Sequence, residues 1–292
     1  MIRVASYAKQ SSSGAPLIDP DGKVNVPNVE LLSKFDDVTL EMSPFARNYY
    51  GAPDARVPLM LRQLNPSIRL WMYVLMGDFW QPPTFVPAPD DKSAFAEVFR
   101  AINSGNGWLY DTSGNLWFPN NRVNLADEAT AWKLGQLYVQ LVSLKLFDGV
   151  FLDCAHTSIA WTSKPDRPLD VARAGFLTLQ EMDAARAKNV KMVVDMLNKA
   201  GGLDLQIGYN GTGDKPEGTD VDMREGLGTL IGPRDAIAWI REYGGHWLKA
   251  EAYTPEEAVR KLATLRGVAV FSGQAEPIIS LGPDRGWPPL GR

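Results

Sequence analysis

Short apolar runs alternate along the chain with longer stretches in which apolar residues return every three or four positions. The short runs predict strands at Arg3–Tyr7, Asp37–Glu41, Ile68–Leu75, Gly149–Asp153, Leu205–Asn210, Val221–Glu225, Trp247–Glu251 and Val268–Ser272. Strands buried on both faces carry such nearly continuous hydrophobicity. The longer stretches predict helices: Val29–Phe35 and Val57–Leu64 are brief, while Ala94–Asn103, Glu128–Leu146, Val171–Ala200, Pro233–Tyr243 and Pro255–Leu265 are clearer. Over Glu128–Leu146, the residues Trp132, Leu134, Leu137, Leu141, Leu144 and Lys145 trace one face. A helix start is legible at Thr254-Pro255-Glu256-Glu257, where a capping threonine precedes a proline and two first-turn acids. Strands alternating with helices imply a parallel sheet, and eight such units imply closure into a (β/α)8 TIM barrel.

One segment breaks the rhythm. Gly77 to Ala126 is rich in Pro, Gly, Asn and Trp and carries a single helical pattern. The barrel is therefore expected to be elaborated between its third and fourth strands, on the side where binding loops grow. Residues 273–292, with Pro277, Pro283, Pro288 and Pro289, read as an extended C-terminal tail, and residues 1–292 as one barrel domain. A length of 292 residues suits that assignment.

Composition narrows the chemistry. A formal charge of −4 does not supply the basic face that a nucleic-acid binder needs. No apolar segment reaches membrane length, so no membrane partner is expected. The one cysteine, Cys154, excludes an internal disulfide and suits a packed thiol beside a strand end better than a nucleophile. With only His156 and His246 present, sites built on several histidines are nearly excluded. Gly211-Thr212-Gly213 lacks the rest of a phosphate-binding pattern and reads as a turn.

What remains is a set of acids at strand ends. An acid closing a buried parallel strand is costly unless something uses or pairs it, and in a barrel that end faces the active-site mouth. Asp153 ends the fourth predicted strand and Glu225 the sixth. Glycoside hydrolysis needs two carboxyl groups flanking the scissile bond, one as nucleophile or base and one as proton donor. Asp153 and Glu225, distant in sequence, fit those roles. Glu41 and Glu251 also end strands, and either could orient sugar hydroxyls or pair with a cation; Lys249 shares a face with Glu251 by alternation. Asp78, Tyr209, Asn210 and His156 join the substrate-binding candidates, as do Trp80, Trp161 and Tyr253 in predicted mouth loops, because sugar C–H faces pack on aromatic rings. Trp108 and Trp117 belong to the same class of loop aromatics, whereas Trp71, Trp132 and Trp239 read as core. Asp148, before its strand, reads as a structural acid at the barrel's floor.

The stretch Trp108-Leu-Tyr-Asp111, Gly114, Val123-Asn124-Leu125, Trp132 and Phe147-Asp-Gly-Val-Phe-Leu-Asp153 resembles the glycoside-hydrolase-like TIM-barrel families, among them the endo-α-1,4-polygalactosaminidases. Ile207-Gly-Tyr-Asn210 and Met223-Arg-Glu225-Gly226 resemble the ends of their fifth and sixth strands. The resemblance implies Asp153 as nucleophile, Glu225 as general acid and a retaining outcome. The chain departs from the pattern at Cys154, where Asn or Asp is usual, and at Asn124, where Asp is common.

The expectation is a glycoside hydrolase acting on a poly- or oligosaccharide without metal or organic cofactor. Its rival is an inactive carbohydrate-binding or structural barrel, such as a phage tail component, whose Pro-rich tail meets a protein assembly partner. A third reading, a metal-dependent hydrolase using Glu41, Asp78 and Asp153, lacks a compact ligand spacing. The sequence leaves the location open between secreted, cytoplasmic and virion-associated.

Overall fold

The computed structural model describes residues 5–8, 17–19, 21–41, 55–79, 84, 86–92, 94–117, 121–159, 165–202, 204–210, 216–224, 247–252, 260 and 276–281. The fold is α/β. Along the chain run β1 (Ala5–Ala8), α1 (Val26–Leu32), β2 (Asp37–Glu41), α2 (Arg56–Leu64), β3 (Arg69–Leu75), β4 (Asp78–Phe79), α3 (Ala94–Ser104) and β5 (Asn121–Arg122). Then come α4 (Glu128–Val142), β6 (Gly149–Asp153), α5 (Leu179–Gly201), β7 (Gln206–Asn210), β8 (Val221–Arg224), β9 (Trp247–Ala252) and β10 (Glu276–Leu281). Apart from the two-residue antiparallel ribbon β4–β5, the strands pair in parallel in the order β1-β10-β9-β8-β7-β6-β3-β2. Because β1 also pairs β2, the order returns on itself, an arrangement compatible with a TIM barrel.

The closing strand departs from the sequence reading. Val268–Ser272 lies outside the described residues, and the strand that pairs both β9 and β1 is β10, Glu276–Leu281, within the stretch expected to be a tail. Pro277 hides it, because proline usually argues against an interior strand; near a strand's start its missing N–H is better tolerated. The predicted helix Pro233–Tyr243 also lies outside the described residues, as does Pro255–Leu265 apart from Arg260, which is helical.

Two faces of the sheet do different work. Val38, Leu40, Leu70, Met72, Val74, Val150, Leu152 and Ile207 form one apolar layer with helical residues such as Val57, Leu61, Leu134, Leu137, Val190, Val193 and Leu197. The alternate residues Trp71, Tyr73 and Phe151 are buried on the inner face. Glycines make that possible: a Cβ at Gly149 would collide with the Trp71 indole, and one at Gly208 would lie 3.0 Å from the Phe151 ring. Below them, buried Asp37 accepts from Arg69 Nε at 2.6 Å and Trp71 Nε1 at 3.1 Å, which closes the floor with a satisfied ion pair. At the same N-terminal edge Asp148 accepts from the Leu70 N–H (2.8 Å) and Arg62 (3.0 Å), and Asp220 from the Ile207 N–H (2.8 Å). Asp148 thus has the structural role its position implies.

The helices carry clear start signals. Asp127 caps α4 by accepting from the Thr130 N–H. Thr178 and Glu181 form a reciprocal capping box at α5, so that helix begins eight residues later than its apolar pattern does. The buried stripe of α4 runs through Ala131, Leu134, Leu137, Tyr138 and Leu141. Trp132 falls off this stripe and is 46% exposed, and Leu144 lies beyond the helix end, so neither is core.

Candidate active site at the strand ends

Because the ring strands are parallel, their C-terminal ends meet on one side, and the strand-end acids of the sequence gather there by topology alone. Glu41 ends β2 as the register partner of Tyr73; Asn210 ends β7 opposite Met223; Glu251 stands in β9 opposite Ser280. Asp78 sits in the small ribbon that leaves β3, opposite Arg122. Arg224 is the last described residue of β8, so Glu225, together with Trp80, Trp161 and Tyr253, lies outside the described residues.

Asp153 is the strand-end acid whose side chain the structure places. It ends β6 half-exposed, as the register partner of Leu75. The Tyr73 hydroxyl, reaching from β3, donates to one carboxylate oxygen, and the Cys154 N–H donates to the other at 2.9 Å. An ionised carboxylate only accepts, and each of its oxygens has two acceptor positions. Both oxygens are therefore oriented, each by a donor from a different part of the chain. The Tyr73 ring is itself steadied by Phe151, 6.2 Å away centroid to centroid. Sequence reasoning passed over Tyr73. The available signal was its inward parity on β3, two residues along from the buried Trp71.

Cys154 takes a left-handed backbone at φ 55°. For a residue with a Cβ that conformation costs about 1–2 kcal/mol, and Asn and Asp enter it more readily. The resemblance has those two residue types at this position, and the observed turn supplies a physical reason.

Two expectations are corrected. Tyr209, assigned to substrate, is 4% exposed and packs in the layer between sheet and helices, because it shares the parity of Ile207 on β7. Trp108 and Trp117 are buried rather than displayed to solvent. Asn124, where the resembling families favour Asp, is wholly buried; its amide donates to the carbonyls of Asn106 (2.8 Å) and Ala174 (3.3 Å), bonds that no aspartate could donate.

Trp117 belongs to a second, smaller core, and Asn124 is tied to it through the Ala174 carbonyl. Leu109, Trp117, Ala126, Ile159, Leu169, Ala174 and Met182 join the elaborated segment to the loop after β6. Arg167 locks the two pieces together: it donates to Asp111 at 2.7 Å and to the Leu116 carbonyl, and its guanidinium lies over the Trp117 ring. The Arg167 hydrogen bond holds the Asp111 carboxyl below the ordinary carboxylate range, with burial opposing and Asn115 reinforcing it. This core flanks the starts of α4 and α5, and so lies on the same side of the sheet as Asp153. His156, three residues past Asp153, offers its carbonyl to Arg186 at 2.6 Å. Among the described residues, no group of three His, Cys, Asp or Glu side chains is placed to hold a metal ion.

No protein-family model and no curated protein matches the sequence. Solved structures do match the fold. α-L-Fucosidase isoenzyme 2 from Paenibacillus thiaminolyticus aligns over 97% of this chain and 46% of its own, at TM-score 0.56 and 13% identity. The cycloalternan-degrading enzyme from Trueperella pyogenes aligns over 98% of this chain and 44% of its own, at TM-score 0.54 and 13% identity. The chain spans less than half of either protein. At this identity the likeness shows a shared fold.

Proposed function

We propose that this protein is a (β/α)8 glycoside hydrolase that cleaves a poly- or oligosaccharide with Asp153 and Glu225. Asp153 attacks the anomeric carbon, and Glu225 protonates the departing oxygen as the glycosidic bond breaks; water then releases the sugar with Glu225 acting as base. The observation that carries the reading is the placement of Asp153: a partly exposed carboxylate at the C-terminal end of a parallel strand, with the Tyr73 hydroxyl on one oxygen and the Cys154 N–H on the other. The floor acids Asp37, Asp148 and Asp220 are by contrast consumed by backbone N–H groups and cations. A fold shared with two carbohydrate-active enzymes supports the same class. Glu41, Asp78, His156, Asn210 and Glu251, with Trp80, Trp161 and Tyr253, would line the saccharide path, and the resemblance favours retention.

The test is release of reducing ends from a panel of bacterial polysaccharides. Wild-type protein is expected to cleave at least one of them, with Asp153→Asn and Glu225→Gln each losing more than about a thousandfold in kcat, on the order of 4 kcal/mol of barrier. Glycan binding by the wild type with no cleavage across the panel would overturn the hydrolase in favour of a binding barrel.

A further inference from the structure

One donor on Asp153, the Cys154 N–H, depends on a left-handed backbone that Cys154 does not favour by itself. Two side chains of α5 hold the residues that follow. Arg186, 1% exposed in the middle of that helix, donates from Nε to the His156 carbonyl at 2.6 Å. Asp183, three residues earlier on α5, accepts from the Ser158 hydroxyl at 2.6 Å and from the Ile159 N–H at 2.9 Å. A guanidinium buried that deeply is expensive to place, and here it reaches a loop carbonyl just beyond the candidate nucleophile. The geometry points to Arg186 and Asp183 as positioning residues for Asp153. They pin residues 156–159 onto α5, which holds Cys154 in its turn and keeps its N–H on the Asp153 carboxylate. The kinetic side of this inference rests on the glycosidase reading; the loop clamp itself does not.

Cys154 is the chain's only cysteine, so its labelling rate reads the loop without any substrate. In Arg186→Met, which keeps the stem and removes the donor, native-state maleimide labelling of Cys154 should accelerate at least tenfold. The amides of Cys154 and Ile159 should lose hydrogen-exchange protection. Asp183→Asn should do the same more weakly, and carries the comparison if the first variant fails to fold. On a cleaved glycan, Arg186→Met should lower kcat tenfold or more with KM within about twofold. Adding Cys154→Gly, which accepts the left-handed turn freely, should restore most of that kcat. Folded variants with unchanged labelling and exchange would overturn the clamp, as would a kcat loss that Cys154→Gly does not relieve. If labelling responds but the wild type cleaves no glycan, the clamp stands and the hydrolase reading falls.

Discussion

Tyr73 and Gly149 show how single residues shape the site from within the sheet. The Tyr73 hydroxyl orients Asp153 from the neighbouring strand, and removing it should weaken the transition state more than the fold. Tyr73→Phe keeps the ring against Phe151 and is expected to lower kcat/KM about tenfold, roughly 1.4 kcal/mol, the scale of one hydrogen bond to a charged group. Steady-state kinetics beside a thermal melt would check it, and an unchanged kcat/KM would count against the role. Gly149 explains why the Phe147–Asp153 motif carries a glycine: the Trp71 indole occupies the space a side chain would need. Gly149→Ala should destabilise by about 1–3 kcal/mol through overpacking, measured as a lowered urea midpoint at constant slope. The packing logic was not legible from the sequence, because the colliding groups belong to different strands.

At the level of elements, the elaborated segment and the loop after β6 act as one piece, joined by Asp111–Arg167 and the small core around Trp117. Asp111 has its carboxyl held down in the folded state by Arg167. The linkage sign follows: the folded form binds that proton less readily than the unfolded one. The stabilisation is complete above the unfolded carboxylate range near pH 4 and is lost as pH falls through the lower folded value. Trp117 fluorescence, with Arg167 over its ring, should report an acid-range transition that Asp111→Asn removes. A transition of unchanged midpoint in that variant would place its origin elsewhere. The helices flanking this piece were legible in outline, but their ends were set by side-chain caps: Thr178 with Glu181 starts α5 inside a longer apolar pattern.

At the scale of the whole molecule, closure depends on β10, whose two sides pair β9 and β1. A chain ending at residue 275 would leave two unpaired parallel edges, which invite association and forfeit burial on both faces. It should lose its cooperative thermal transition and elute as aggregate on size exclusion; a monomeric, cooperatively melting truncation would show that closure is dispensable. The same parallel arrangement collects Glu41, Asp153, Asn210 and Glu251 at one end although 210 positions separate the first from the last.

The order of hydrophobic and polar positions was enough to establish a parallel α/β chain, seven of the eight ring strands within about two residues, and Asp153 as an acid at a strand end. Those features are local, since burial on both faces and a period near 3.6 are written into neighbouring residues. Only the tertiary structure decided that Pro277 sits in the closing strand, that the Tyr73 hydroxyl reaches Asp153, and that α5 bonds the loop after it. Each of those outcomes depends on which strand lies beside which. Register and long-range contact determine that adjacency, and no window of sequence contains it.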